Sequence, residues 1–135
     1  IIYQFYNLIP ILNVEENITL PCELDGQTVD KKRLDKLIDE LGLNGRKTHL
    51  PEELSGGQQQ RVSIGRALIN RPAIVLADEP TGNLDKKNSD EIVELLRRAN
   101  QEYRQTIIMI THNLEIAKTA DRVIVIEDGK IIREG

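Results

Sequence analysis

Apolar residues recur along this chain with two different periods, and the change between them predicts a protein of the α/β class. Four apolar residues at helical spacing precede Gly42, which suits a helix C-cap. An amphipathic helix is therefore predicted from about Asp30 to Leu41. A second helix is predicted from Ser55, whose hydroxyl can cap free backbone N–H groups, to about Asn70.

The second half of the chain carries the strands. Residues Ala73 to Asp78 form an almost wholly apolar run, which is typical of a strand buried on both faces of a parallel sheet. The elements predicted after it are a helix from about Lys87 to Tyr103, a strand from Thr106 to Thr111, a short helix from Leu114 to Thr119, a strand from Arg122 to Glu127, and a hairpin through Asp128-Gly129 into Lys130–Arg133. The order β-α-β-α-β favours an open α/β sheet.

The distribution of these elements predicts two subdomains. Residues 1–71 are mostly helical and polar, and residues 72–135 contain the strands. We expect the boundary to follow the second helix.

Composition narrows the class of protein. The chain has 135 residues, 39% hydrophobic and 30% charged, which indicates one globular unit of modest size. A net charge of −4 without a long basic run argues against DNA or RNA as a partner. Cys22, the one cysteine, excludes an internal disulfide and a cysteine metal cluster. No apolar run reaches the roughly 18 residues that span a bilayer, so a membrane role would need partners.

The turn Ser55-Gly56-Gly57-Gln58 has the chemistry of a phosphate site. It offers a hydroxyl, backbone N–H groups unobstructed by Cβ atoms, and the positive end of a helix dipole. Taken alone, the same four residues could be a flexible loop or an ordinary helix start.

Three polar side chains follow the predicted strands. Open α/β sheets place their chemistry beyond the carboxyl ends of the strands, where Asp78, Glu79 and His112 fall. One carboxylate could hold Mg²⁺ and the other could position an attacking water. The alternatives are a solvated turn or helix cap for the carboxylates, and a hydrogen-bonded structural role for the histidine.

The other half of a nucleotide site is missing from the sequence. No segment reads G-x-x-x-x-G-K-[ST], the loop that cradles the β- and γ-phosphates in P-loop enzymes. The chain also opens on apolar Ile1-Ile2, as though inside a strand, which favours truncation. Loss of the central strand that carries this loop would expose an apolar sheet edge, so self-association or marginal stability is expected.

These motifs together closely resemble the ATP-binding cassette (ABC) ATPases of membrane transporters. Leu54 to Gln58 is similar to the signature motif, Ile74 to Asp78 to Walker B with Glu79 as catalytic glutamate, Gly82 to Asp85 to the D-loop, His112 to the switch histidine, and Gln4 to the Q-loop glutamine. The residues from Gln4 to Pro10 and from Ala77 to Asp85 resemble the branch that serves lipoprotein release, macrolide export and bacitracin-type peptide export. The implied fold is a partial P-loop NTPase-like αβα core with an α-helical signature subdomain.

The resemblance implies a role for each matched residue. Asp78 and Gln4 would serve Mg²⁺, Glu79 would polarise the attacking water, and His112 would stabilise the γ-phosphate. The residues implied to contact ATP are Ser55, Gly56, Gly57, Gln58 and Asp85, with Ser55 and Gly57 reaching the ATP of an opposing subunit.

The implied partners are a second ATPase subunit, in a homodimer, and an integral membrane permease, with the protein on the cytoplasmic face of the membrane. The segment from Phe5 to Asn17 resembles the surface that receives the permease, although it could simply pack against the helical subdomain. Two other functions stay open: a non-transport ABC ATPase of chromosomes, repair or translation, and a non-catalytic dimerisation module.

Overall fold

The computed structural model describes residues 1–135 and contains five α-helices, two short 3-10 turns and four strands. The helices are α1 (Val14–Leu24), α2 (Lys31–Glu40), α3 (Gly56–Leu68), α4 (Lys86–Tyr103) and α5 (Leu114–Ala117), and the strands are β1 (Ile74–Asp78), β2 (Thr106–Ile110), β3 (Ile124–Glu127) and β4 (Lys130–Glu134). The 3-10 turns lie at Asn44–Arg46 and Pro51–Glu53. None of the helices combines the length and the apolar character needed to cross a membrane.

Strand β1 lies in the middle of a small parallel sheet. It pairs with β2 on one side, with Ala77 opposite Met109. On the other side Ile2 forms a parallel bridge to Ala77, its N–H donating to Leu76 O at 2.8 Å and its carbonyl accepting from Asp78 N at 2.9 Å. The start of the chain therefore continues the sheet.

Strands β3 and β4 form a separate antiparallel hairpin. Its turn residues Asp128 and Gly129 have φ values of 46° and 73°, which matches the Asp-Gly preference of tight hairpin turns. The predicted hairpin is confirmed. Strand β3 does not pair with β2, so the strands belong to two sheets rather than one.

The helices predicted from periodicity are confirmed within one or two residues, but one helix was missed. Helix α1 contains Pro21, which obscures its helical pattern. Its start carries a capping box, in which Asn13 accepts from Glu16 N and Glu16 accepts from Asn13 N, both at 2.9 Å. An Asn followed three residues later by Glu is the signal that could have identified this helix.

Asn17 ties the loop before α1 to the helix. Its side chain is fully buried. Its Nδ2 donates to the carbonyls of Ile9, Leu12 and Asn13 at 2.9–3.2 Å, and its Oδ1 accepts from Ile9 N at 2.8 Å. One amide thus satisfies two backbone groups, Ile9 N and Leu12 O, that have no other backbone partner.

Helix α3 lies at the centre of the molecule. A single cluster of 19 buried apolar residues joins it to α1, α2, β1 and α4. At Gly65, an added Cβ would lie 2.7 Å from Leu41 Cδ1 and 3.1 Å from Ile18 Cδ1, so only hydrogen fits where these helices meet. The predicted boundary at residues 71/72 stays a prediction.

One face of the β1/β2 sheet is apolar and uncovered. Strand β2 has no partner on its outer edge, and the side chains of Ile108 and Ile110 are 52% and 62% exposed. On the same face Ile74 and Leu76 of β1 are 56% and 44% exposed. The outer edge of β2 is thus unpaired and apolar side chains beside it are exposed. The self-association or marginal stability that the sequence leads us to expect stays a prediction.

We predict that Asn17→Ala lowers the free energy of unfolding by about 2–4 kcal/mol, since it leaves Ile9 N and Leu12 O without protein partners and empties a buried side-chain site. Urea denaturation of the purified chain measures the change. Gln101→Ala on α4, at an exposed position, is the control and should change stability by less than about 0.5 kcal/mol. Equal effects of the two substitutions would contradict the role of Asn17.

Candidate functional site

Glu79 and His112 meet at the carboxyl edge of the parallel sheet. Glu79 Oε1 accepts from the backbone N of His112 at 2.9 Å and lies 2.7 Å from its ring Nδ1. Glu79 adopts a left-handed conformation, with φ at 44°, and its own N–H donates to Ile110 O at 2.9 Å. Such a conformation costs a non-glycine residue about 1–2 kcal/mol, so the surrounding bonds hold this carboxylate in place.

Gln4 leaves the sheet at the same edge and contacts the turn after β1. Its Nε2 donates to Asn83 Oδ1 at 3.3 Å, and Asn83 Nδ2 donates back to Gln4 O at 3.2 Å. A Cβ on Gly82 would lie 2.6 Å from Gln4 Nε2. Glycine at position 82 thus lets the Gln4 side chain cross this turn.

Asp78 and Gln4 offer oxygen ligands at this edge. The Asp78 side chain is exposed and makes no hydrogen bond, and the amide oxygen of Gln4 is likewise free of donors. No group of three or more His, Cys, Asp or Glu side chains is arranged to hold a metal ion. One carboxylate with one amide oxygen fits Mg²⁺, which keeps several waters and uses few protein ligands alongside substrate phosphates.

Ser55 caps α3 as the sequence predicted. Its Oγ accepts from Gln58 N at 3.2 Å, and Gln58 Oε1 accepts from Ser55 N at 2.9 Å. The first N–H groups of Gly56 and Gly57 have no partner inside the helix. An exposed hydroxyl and free amides therefore lie together at the positive end of a 13-residue helix.

The start of α4 packs directly against the start of α3. Asp85 caps α4, and its Oδ1 accepts from Asn88 N at 2.8 Å and Asn88 Nδ2 at 2.9 Å. These bonds from the backbone and then the side chain of Asn88 lower the pKa of the Asp85 carboxyl. A Cβ on Gly57 would collide with Asn88 Oδ1.

The residues predicted from the sequence thus fall into two groups. Hydrogen bonds and the shared sheet edge bring together Gln4, Asp78, Glu79 and His112. The signature turn and Asp85 form the second group, at the neighbouring starts of α3 and α4.

Some residues that connect these groups were not predicted from the sequence. Gln60 is fully buried, but it stands in a run of three glutamines that reads as a polar surface. Its place three residues after buried Gly57 and four before buried Ile64 was the available signal. Arg66 also contacts the segment around Gln4, as does Asn83 of the predicted D-loop, across distances in sequence that no local pattern reports.

One cavity lies away from both groups. It measures about 500 Å³ and separates α2 from α4. Its lining combines apolar and acidic side chains, with Arg61 paired to Glu91 and Tyr103 Oη donating to Glu40 at 2.6 Å. None of the predicted site residues lines it.

Solved structures define the class to which this fold and site belong. The model matches a dimeric post-hydrolysis state of the ATP-binding cassette MJ0796 bound to ADP and Pi, with a TM-score of 0.84 and 38% identity over 99% of this chain and 60% of that one. A second dimeric structure of MJ0796 matches with a TM-score of 0.82. The fold is therefore that of a P-loop NTPase-like ATP-binding cassette.

Sequence relatives specify the family. The family model for ABC transporters matches residues 1–82. The macrolide export ATP-binding/permease protein MacB of Mannheimia succiniciproducens is 48% identical over 97% of this chain and 20% of that protein. The lipoprotein-releasing system ATP-binding protein LolD of Acinetobacter baylyi is 44% identical over 95% of this chain, which spans 58% of LolD. The chain belongs to the ABC transporter family.

Because Gly57 contacts Asn88, we predict that the effect of Gly57→Ala on stability changes sign when Asn88 is replaced by alanine. In the wild-type background, Gly57→Ala should lower stability by about 1 kcal/mol or more, since Asn88 must give up its side-chain bond to Asp85. In an Asn88→Ala background the same substitution should raise stability by up to about 1 kcal/mol, as alanine favours helix over glycine. Denaturant unfolding of the wild type, the two single variants and the double variant measures both effects. Equal effects of Gly57→Ala in the two backgrounds would contradict the contact.

The lowered pKa of Asp85 predicts an acid-dependent loss of stability. A carboxyl whose pKa is lower in the folded state stabilises above its unfolded pKa of about 3.9 and loses that contribution as pH falls through the folded value. Asp85→Asn retains a helix cap that does not titrate. Between pH 6 and pH 3 the wild type should therefore lose stability relative to Asp85→Asn, as measured by thermal unfolding. Parallel curves would show that Asp85 makes no such contribution.

Proposed function

We propose that this chain is part of the ATP-binding and ATP-hydrolysing subunit of an ABC transporter, which powers export or release of a substrate through a membrane partner. The observation that carries the proposal is the pairing of Glu79 with His112 at the sheet edge beside Asp78. Family membership and the likeness to a cassette bound to ADP and Pi support it.

In this proposal the sheet-edge group serves the ATP of its own subunit. Glu79 accepts a proton from, or orients, the attacking water, and His112 donates from its ring to a γ-phosphate oxygen. Asp78 and Gln4 hold Mg²⁺, which when bound neutralises charge on the phosphate oxygens. Most of the catalytic contribution of these residues is positioning.

The signature group serves a second subunit. Ser55, Gly57 and Gln58 stand at the start of α3, where Ser55 and Gln58 bond to each other and not to Glu79 or His112, and a helix start favours an anion. Each ATP would thus be enclosed by the sheet edge of one subunit and the α3 start of the other, with Gly56 and Asp85 beside it. A homodimer satisfies this requirement, as the dimeric cassette neighbour illustrates.

The membrane permease would contact the exposed residues after Gln4. The side chains of Phe5 and Ile11 are 71% and 82% exposed, respectively. Large apolar side chains at such exposure suit a protein partner. In this proposal the subunit lies at the cytoplasmic face of the membrane and belongs to the branch that handles lipoproteins, macrolides or peptides. The names of two relatives support the macrolide and lipoprotein members of that branch.

Complementation tests the shared site. The partner is an ATP-binding cassette that has an intact G-x-x-x-x-G-K-[ST] loop and whose own signature serine has been replaced by alanine. Adding this chain should restore ATP turnover by at least about 100-fold, since Ser55 completes the partner's site with electrostatic contacts of the kind that govern phosphoryl transfer. Phosphate release at increasing concentrations of the chain measures the effect.

A matched pair of cap substitutions separates function from stability. Ser55→Ala removes the cap of α3 and should abolish the gain in turnover. Asp30→Ala removes the cap of α2, whose carboxylate accepts from Lys32 N at 3.0 Å, and should keep the gain. Binding of the chain to the partner without turnover would instead identify a non-catalytic dimerisation module.

A further inference from the structure

Gln60 of α3 joins the two segments that carry Gln4 and Glu79. Its Nε2 donates to Tyr3 O at 3.1 Å and to Pro80 O at 2.5 Å. The first carbonyl precedes Gln4 and the second follows Glu79, so a single amide fixes the two segments relative to each other.

The other end of the Gln60 side chain lowers stability, so glutamine is not present here for stability alone. Gln60 is fully buried, and its Oε1 has no hydrogen-bond partner. An unsatisfied buried acceptor costs about 1–3 kcal/mol. An apolar side chain of similar size would avoid that cost, so the benefit of glutamine lies in the two carbonyls that it holds.

Arg66 hydrogen-bonds to the segment that carries Gln4, at residues that follow Gln4. Its Nη2 donates to Tyr6 O at 2.8 Å and its Nη1 donates to Asn7 O at 2.6 Å. Tyr6 and Asn7 are consecutive left-handed residues, with φ values of 60° and 53°. Two such residues in a row are unfavourable without external support, and the Arg66 guanidinium supplies it.

The environment of Arg66 shows that this support is costly to maintain. Burial lowers the pKa of the guanidinium, although arginine stays protonated at neutral pH. Arg61, on the same helix, pairs instead with the carboxylate of Glu91. Arg66 directs its charge only at backbone carbonyls.

We propose that Gln60 and Arg66 are positioning residues through which helix α3, which begins at the signature serine, sets the placement of Gln4. The hydrogen bonds bracket Gln4 on both sides, and Gln60 extends the link to the segment of Glu79. The catalytic meaning of this link rests on the proposed function.

The test uses amide hydrogen exchange and side-chain NMR on the chain without nucleotide. Gln60→Met and Arg66→Met should speed exchange of the Asn7 N–H, which donates to Phe5 O at 2.6 Å, by about tenfold or more relative to core amides of α4. The reason is that the segment carrying this bond is no longer held through its carbonyls. The side-chain NH₂ resonances of Gln4 and Asn83 should shift in both variants. Arg66→Lys, which retains one charged donor, should partly restore the wild-type spectrum.

The same helix provides matched controls. Gln59→Met and Arg61→Met change neighbouring residues that do not contact the segment, since Gln59 Nε2 donates to Leu54 O and Arg61 pairs with Glu91. These variants should leave the Gln4 and Asn83 side-chain resonances unchanged. Equal effects of controls and test variants, or a uniform rise in exchange across α4, would overturn the proposal.

The NMR experiment tests the positioning role, and the complementation assay tests the proposed function, so either can be refuted without the other. The spectra require no ATP, so a result without shifts at Gln4 refutes the positioning role even where turnover is restored. Shifts at Gln4 together with absent turnover support the positioning link and refute the proposed function.

Discussion

Parallel hydrogen bonding on both sides of β1 is the constraint on which the rest of the structure depends. Ile2 bonds to one edge of the strand and β2 to the other. Because neighbouring segments run in the same direction, the residues that follow them emerge at one edge. Gln4, Glu79 and His112 therefore come from three distant parts of the chain and still lie around one surface. A reversal of any of these segments would remove its side chain from the site.

Helix α3 connects this edge to the rest of the molecule through small residues and buried polar groups. Gly65 leaves room for apolar core side chains to pack closely on one side of the helix, and Gly57 leaves room for Asn88 on another. These glycines are required by the closeness of their neighbours, not by an unusual backbone angle. Gln60 and Arg66 of the same helix donate to backbone carbonyls of the segments at the sheet edge. These hydrogen bonds fix the position of the signature turn relative to the sheet edge.

The sequence predicted those elements whose local pattern agrees with their surroundings. Helices α2 and α3 have clear caps, and β1 has an apolar run, so each was located within one or two residues. Helix α1 was missed because Pro21 disrupts the pattern that its capping box begins. The meeting of Glu79 with His112 follows from parallel strands, but the contacts of Gln60 join residues far apart in sequence, and no periodicity reports them. The catalytic and ligand roles of the site residues remain predictions.

The pairing of Gln4 with Asn83 bears on selectivity. The Gln4 side chain already has a partner in the turn after β1, and Asn83 returns a second bond to the Gln4 backbone. A ligand that accepts from Gln4 Nε2 must replace what Asn83 provides, or lose that bond. The side-chain oxygen of Gln4 has no such partner and stays available. This edge is therefore preset for a ligand that attracts an oxygen, such as a cation, over one that must displace Asn83 from the Gln4 nitrogen.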